Sequence, residues 1–318
     1  MQQLLQSLTV LPYPAQALIA IMAIAGLWFG SDKVIWGVKR IARKFGISEL
    51  IIGLTIVSIG SSLPEIFVNI SAGMRGVDDI GVGNIVGSCF VQISFILALC
   101  VLVGGPMKSQ KSKLKRDGAM VVGSIVLLFL LGLDGSIGTG EGLLLVLMYA
   151  SYLYYLLVAN RTKWKVKKSD AHLMLSFVAF TFGVALVWIS AEVLLTVGIH
   201  AGRELGLREG MIGLLSGIGT SIPELSISMM ALLRKSNGIS LGNLLGSNIT
   251  DPLFSLGIGA VLAGGYQVSD FLLWQAMPVW FIASSSAMTV LWFRGKIDRG
   301  FAVILIAFYL GAFAVFLT

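Results

Sequence analysis

The chain is poor in charge and poor in the side chains that soft metals need. Of its 318 residues, Asp, Glu, Lys and Arg make up 12%, about half the share of a soluble globular domain. That shortage excludes a soluble domain as the main body. Two histidines and two cysteines leave no convergent set of imidazoles or thiolates, so zinc and copper are poor candidates. Cys89 and Cys100 lie eleven positions apart in one apolar run, about 16 Å at helical rise, too far to pair with each other. They read as small buried hydrophobes. No Lys or Arg precedes the first apolar run, which argues against a cleaved signal peptide.

What is plentiful is apolar sequence, at 56%. Ten runs, approximately 15–38, 49–74, 80–104, 118–133, 140–159, 172–198, 209–233, 239–264, 269–293 and 300–318, are each close to the length that spans a bilayer core. The predicted fold is all-α and integral to a membrane, with ten transmembrane helices. The net charge of +7 does not point to nucleic acid, because the basic residues gather in alternate connections. These hold Lys39, Arg40, Arg43 and Lys44; then Lys108, Lys111, Lys113, Lys115 and Arg116; then Arg161, Lys163, Lys165, Lys167 and Lys168; then Arg234 and Lys235; then Arg294, Lys296 and Arg299. Short cytoplasmic loops carry the Lys/Arg excess. The five basic connections are therefore expected inside and both termini outside, in a multi-pass protein of the cell membrane whose surroundings are lipid.

The second and third runs reappear in the seventh and eighth. IGSSLPEIFVNISAGMRGVDDIGVGNIVGS, Ile59 to Ser88, matches IGTSIPELSISMMALLRKSNGISLGNLLGS, Ile218 to Ser247, at a shift of 159 residues. Gly60 pairs with Gly219, Pro64 with Pro223, Glu65 with Glu224, Asn84 with Asn243 and Ser88 with Ser247. Five runs separate the copies, an odd number, so the second copy enters the membrane from the opposite side. The chain divides into a first inverted repeat, residues 1–160 with its motif at 53–100, and a second, residues 161–318 with its motif at 212–259. A weaker echo joins Trp28 and Asp32 to Trp188 and Glu192.

A proline inside a helix removes an N–H and presses on the carbonyl four residues back, so Pro64 frees the C=O of Gly60 and Pro223 that of Gly219. Irregular backbone at membrane depth persists only where it is buried in protein or lines a polar cavity. On a continuous helix Ser58, Ser61 and Glu65 share a face, with Ser62 one turn before Glu65. Thr220, Ser221 and Glu224 do the same in the second copy, with Gly217 in the place of Ser58. The next helix adds Asn84, Ser88 and Gln92, matched by Asn243, Ser247 and Asp251. Gly83 and Gly87, with Gly242 and Gly246, form small-xxx-small seams for close helix approach. Carboxylates, hydroxyls, amides and carbonyls suit a hard cation, and an array of six to eight such oxygens suits Ca2+ better than Mg2+. Two glutamates neutralise one Ca2+, and leaving them charged and bare is costly. A second cation or protons must then replace Ca2+ when it leaves, which under alternating access amounts to antiport.

GSSLPE and GTSIPE, followed by GNIVGS and GNLLGS, resemble the two alpha-repeats of the calcium:cation antiporter superfamily, nearest its prokaryotic-type Na+/Ca2+ exchanger branch. The resemblance covers most of the chain. It implies Na+/Ca2+ exchange without a cofactor or enzymatic chemistry, in a monomeric transport unit. It implies a Ca2+ site on Glu65 and Glu224 with Ser61, Thr220 and the Gly60 and Gly219 carbonyls. The flanking coupling-cation sites would draw on Ser62, Ser221, Ser88 and Ser247, bordered by Asp251, Gln92, Ser58 and Gly217, and runs one and six would slide as a pair. Gln92 stands where that branch usually has Asn, and a Gln there is similar to the H+/Ca2+ branch.

The residues leave other readings open. The two asparagines also read as helix-to-helix hydrogen bonders, and Asp251 either as a ligand or as a hydrogen-bonding group. Asp32 and Glu192 read as interfacial or Lys-paired carboxylates ahead of a role in the ion pathway. Na+ needs coordinating oxygens beyond the carboxylates while H+ needs only a carboxylate, so Na+ is the favoured coupling ion and H+ the alternative. An intramembrane hydrolase using two carboxylates would need unlike surroundings to split their acidities, and the two glutamates have like ones. A cation channel would pass Ca2+ without a counter-ion.

Overall fold

The computed structural model describes residues 10–74, 76, 78–108, 111–160, 173–204 and 217–316. The boundary at 160/161, the basic segment 161–168, the stretch 205–216 that opens the seventh run and the second motif, and Arg75 and Arg208 lie outside the described residues.

The first helix, α1 (Tyr13–Phe45), starts with Pro14 in its first turn, where the missing N–H costs nothing, and ends at Gly46 with φ 64° behind Arg43 and Lys44. Ser48 caps α2 (Glu49–Ser61), its hydroxyl accepting from the Ile51 N–H at 3.4 Å, and α3 (Leu63–Met74) follows after a bend of 45°. Then come α4 (Asp78–Gly104), α5 (Lys111–Leu131), α6 (Thr139–Asn160), α7 (Leu173–Glu204) and α8 (Gly217–Leu233). The last three are α9 (237–263), α10 (Leu272–Arg294) and α11 (Arg299–Phe316). Each of the ten predicted runs carries helix. Among the described residues six helices are long and apolar enough to cross a membrane, or seven if the bent pair α2–α3 is one span. The helix α9 falls short because its centre holds Asn243, Ser247, Asn248 and Asp251, all fully buried.

Among the described residues four short strands tie the helix ends in two antiparallel ribbons that no sequence feature announced. β1 (Met107–Lys108) precedes α5, and β2 (Ser136–Gly138) follows it; β3 (Gly265–Gln267) precedes α10, and β4 (Lys296–Ile297) follows it. β1 pairs with β4 and β2 with β3, so α5 and α10, which pack together, run antiparallel. At the β2–β3 end Asp78 accepts from the Gln267 N–H and Asp79 from that of Ser269. Asp32 pairs with Arg234, whose carbonyl accepts from Lys39 Nζ at 2.7 Å. The interfacial reading of Asp32 thus gains a partner.

The buried apolar side chains form two bodies. One joins α4, α5, α6, α9, α10 and α11; the smaller joins α1, α7 and their contacts on α2, α8 and the start of α9. Small residues bring α1 and α7 together. A Cβ on Gly183 would lie 2.6 Å from the Gly30 carbonyl, and one on Gly37 2.5 Å from that of Ser176, the seam expected when helix association rests on packing rather than on water exclusion. Large side chains such as Leu144, Tyr154, Phe182 and Ile304 face outward, as lipid-facing positions do.

Candidate functional site

The two proline motifs do not kink their helices in the way the sequence implies. Each helix is interrupted two residues before its proline, at Ser62 (φ −78°, ψ 8°) and, inside α8, at the matched Ser221 (φ −85°, ψ 4°), and a new helical segment begins at Leu63 or Ile222. Pro64 and Pro223 sit in the first turn of the new helix, where an N–H has no intrahelical partner to lose. A broken helix, unlike a kinked one, presents two ends: carbonyls from the half before the break and free N–H groups from the half after it. Glu65 and Glu224 occupy the first turn of the second halves, where the macrodipole favours negative charge, and each carboxylate faces its own backbone N–H.

The other half of the site comes from α4 and α9. Both depart from α-helical winding at the same matched position, in π-turns over Gln92–Ile96 and Asp251–Ser255; such turns re-aim side chains and collect at functional sites. Gly242 and Gly246 seat α9 on α2. A Cβ on Gly242 would lie 2.5 Å from the Leu50 carbonyl, and one on Gly246 2.6 Å from Ser58. On the first seam, among the described residues, a Cβ on Gly83 would meet the Leu272 side chain at 3.5 Å and one on Gly87 would meet nothing within 4 Å, the segment matched to α2 at 209–216 lying outside the described residues. Gly83 and Gly87 line a cavity of about 250 Å³ with Asn84, Phe90, Gly217 and Ile218. The matched contact survives at one point, where a Cβ on Gly217 would lie 3.6 Å from the Gly87 backbone as Ser58 meets Gly246.

The hydroxyls cross between the repeats. Ser61 faces Glu224 and donates to Asn243 Oδ1 at 3.0 Å, while its match Thr220 faces Glu65 and accepts from Asn84 Nδ2 at 3.1 Å. Ser88 Oγ lies 3.0 Å from Thr220 Oγ1 and donates to the Gly217 carbonyl at 3.3 Å; Ser247 Oγ lies 3.5 Å from Glu224 Oε1. Gln92 Nε2 donates to Asp251 Oδ2 at 3.3 Å and reaches Ser221 Oγ at 3.5 Å, and Ser62 lies beside Asp251. Glu65 is within electrostatic reach of both Glu224 and Asp251. Ser58 Oγ is turned to its own helix, donating to the Thr55 carbonyl at 3.1 Å. Gly219 is buried, whereas Gly60 is half-buried against Phe180 and Val184 of α7.

Glu65, Glu224, Asp251, Ser61, Ser62, Thr220, Ser221, Ser88, Ser247 and Gln92 are therefore brought together, all buried. Among the described residues, five oxygens here have no hydrogen-bond partner of good geometry: both of Glu65, Oε2 of Glu224, Oγ of Ser62 and Oδ1 of Asn84. Buried carboxylate oxygens without donors are costly, and a cation between them removes that cost. Among the described residues no three His, Cys, Asp or Glu side chains form a metal cluster by themselves, so a cation held here draws on hydroxyls, amides and carbonyls as well. Three participants escaped the repeat search. Asn248 donates to Gln92 Oε1 at 3.0 Å and accepts from Trp280 Nε1 at 3.4 Å, and Cys89 Sγ lies 3.9 Å from Asp251 Oδ2. Cys89 and Asn248 occupy matched positions but differ in kind, and Trp280 lies on α10, where no motif drew attention.

Comparison with known proteins gives the chain a family. The profile of the family described as sodium/calcium exchanger protein matches the chain twice, over residues 15–158 and 175–318. The putative antiporter CaxA of Alkalimonas amylolytica is 30% identical over 78% of this chain and 81% of its own length. The sodium/calcium exchanger MaX1 of Methanosarcina acetivorans is 29% identical over 94% of this chain and 97% of its own. A solved structure of the sodium-calcium exchanger NCX_Mj superimposes with a TM-score of 0.83 at 27% identity, covering 94% of this chain and 97% of that one. With a membrane helix fold and a doubled match over most of its length, the chain belongs to the sodium/calcium exchanger family.

Proposed function

We propose that the protein exchanges Na+ for Ca2+ across the cell membrane by alternating access to one mid-membrane site. The observation that carries this reading is the crossed arrangement of two matched, fully buried glutamates, each beside a hydroxyl from the other repeat. Ca2+ lies between Glu65 and Glu224, with Ser61, Thr220 and the broken-helix carbonyls at Gly60 and Gly219 completing its shell. Na+ occupies flanking positions formed by Ser62, Ser221, Ser88 and Ser247, bordered by Asp251, Gln92, Ser58 and Gly217. Both ion sets draw on one negative cluster, so the ions compete for it, and under alternating access exchange follows.

The same reading assigns ten spans in two inverted five-helix halves, 1–160 and 161–318, acting as a monomer. Support comes from the ribbons: the shift that maps α5 onto α10 maps the β1–β4 ribbon onto β3–β2, as a two-fold axis in the membrane plane requires. The ribbon end with Lys108 and Lys296 is cytoplasmic and both termini are extracellular. The pair α1 and α7, packed closely along their glycine seam, slides across the rest.

The test is purified protein in liposomes holding a Ca2+ indicator, with Na+, K+ and pH gradients imposed one at a time. Ca2+ uptake driven by an outward Na+ gradient alone is the expected result. Uptake driven by pH and indifferent to Na+ would replace Na+ with H+ as the coupling ion; uptake with no gradient would make the protein a channel.

A further inference from the structure

The amide of Gln92 can be oriented without ambiguity, because a chain of groups with fixed hydrogen-bonding sense runs into it from outside the site. Indole Nε1–H only donates and a backbone carbonyl only accepts. Trp280 Nε1 lies 3.4 Å from one end of the Asn248 amide and the Leu244 carbonyl 3.0 Å from the other. Two independent neighbours therefore agree that Oδ1 faces Trp280 and Nδ2 faces Leu244. The same Nδ2 lies 3.0 Å from Gln92, so the Gln92 atom that meets it is the carbonyl oxygen. The Gln92 N–H group is then the end turned to Asp251 Oδ2 at 3.3 Å and Ser221 Oγ at 3.5 Å. All five side chains are buried, so no bulk water offers Gln92 an alternative partner.

We infer that Trp280 and Asn248 are positioning residues that hold Gln92 as a hydrogen-bond donor toward Asp251, withholding its carbonyl oxygen from the transported cations and so setting the affinity for the coupling ion. This rests on the exchange reading above and refines it, since an amide at this place serves a cation only through oxygen. The four residues lie where α4 and α9 cross, with Cys89 and Gln92 on one helix matched by Asn248 and Asp251 on the other, and Trp280 reaches in from α10. Replacing the donor of Asn248 with an apolar group of similar size lets Gln92 turn its oxygen inward.

The experiment measures Na+-driven Ca2+ uptake in proteoliposomes for the unmodified chain, Asn248→Leu, Trp280→Phe and the double variant Asn248→Leu/Gln92→Leu. In Asn248→Leu the half-saturating Na+ concentration falls about threefold or more, while that for Ca2+ and the maximal rate stay within about twofold. Trp280→Phe moves it in the same direction by less, because Leu244 still holds Asn248. In the double variant the gain disappears. A purely structural role for Asn248 would instead lower the maximal rate and leave the Na+ dependence in place, and that outcome overturns the inference, as does an unchanged or weakened Na+ response. Loss of Na+-driven uptake in the unmodified chain itself is a separate result: it overturns the exchange reading, and this inference with it.

Discussion

Glu65 and Glu224 are held by different neighbours although they occupy equivalent places. Glu224 has Ser247 and Ser61 beside it, whereas Glu65 faces Thr220 with no hydrogen bond of good geometry to either oxygen among the described residues. Both are at the start of a half-helix, so the backbone stabilises each charge from one side and leaves the other side to a cation. Changing either to glutamine preserves volume but removes one of the two charges that match Ca2+. Losing one partner of a buried charge set costs about 3–5 kcal/mol, which corresponds to a loss on the order of 100-fold or more in apparent Ca2+ affinity. Glu65→Gln and Glu224→Gln are therefore expected to insert and fold yet give no measurable Ca2+ uptake in liposomes at concentrations that saturate the unmodified chain. Normal exchange in either variant would remove the assigned site. These two residues were legible because a carboxylate repeated at a fixed shift inside apolar sequence has few bland explanations. Asn248 and Trp280 were not: repetition marks only what both copies keep, and here one copy has Asn and the other Cys.

At the scale of elements, the sequence signalled where helices are interrupted better than how. Pro64 and Pro223 pointed to irregular backbone at two matched places, but a proline in a pattern does not tell whether a helix bends at the ring or ends before it. The choice fell to Ser62 and Ser221, whose backbone leaves helical values. The π-turns at Gln92 and Asp251 left no trace in periodicity, since one extra residue shifts the face of a helix that is buried all round. The glycine seam was legible where it is described: Gly242 and Gly246 were expected to admit a neighbouring backbone and do so, while the segment matched to their partner in α2, 209–216, lies outside the described residues. Gly242→Ala is expected to destabilise, because its methyl group would lie 2.5 Å from the Leu50 carbonyl, and backbone yields less readily than a side chain. Overpacking of this kind costs about 1–3 kcal/mol. Gly123→Ala, on the lipid-facing side of α5 with nothing within 4 Å, is expected to leave stability unchanged or slightly raised. Thermal unfolding in detergent separates the two; equal effects would mean that α9 does not rest on α2 as described.

For the whole molecule, the ribbons turn an argument about charge into one about sidedness. The alternation of basic connections assigned Lys108, Arg234 and Lys296 to one side and Asp78 and the connection near Gln267 to the other. The fold joins partners that this assignment already grouped: Lys39 with Arg234, Met107 with Ile297, Asp78 with Gln267 and Ile137 with Tyr266. No contact among these crosses from one group to the other, although nothing in a charge count requires loops of equal charge to touch. A single helix, α10, separates Gln267 from Lys296, and both residues are exposed. Cys89 and Cys100 are fully buried, so an introduced thiol reports against a quiet background. In intact cells Gln267→Cys is expected to react with a membrane-impermeant maleimide, and Lys296→Cys to react only after permeabilisation. The reverse pattern would keep the architecture and invert the orientation, which would place the basic connections outside against their charge. Reaction of both from the same side would mean that α10 does not cross the bilayer, and the second half would then lack the span that matches α5.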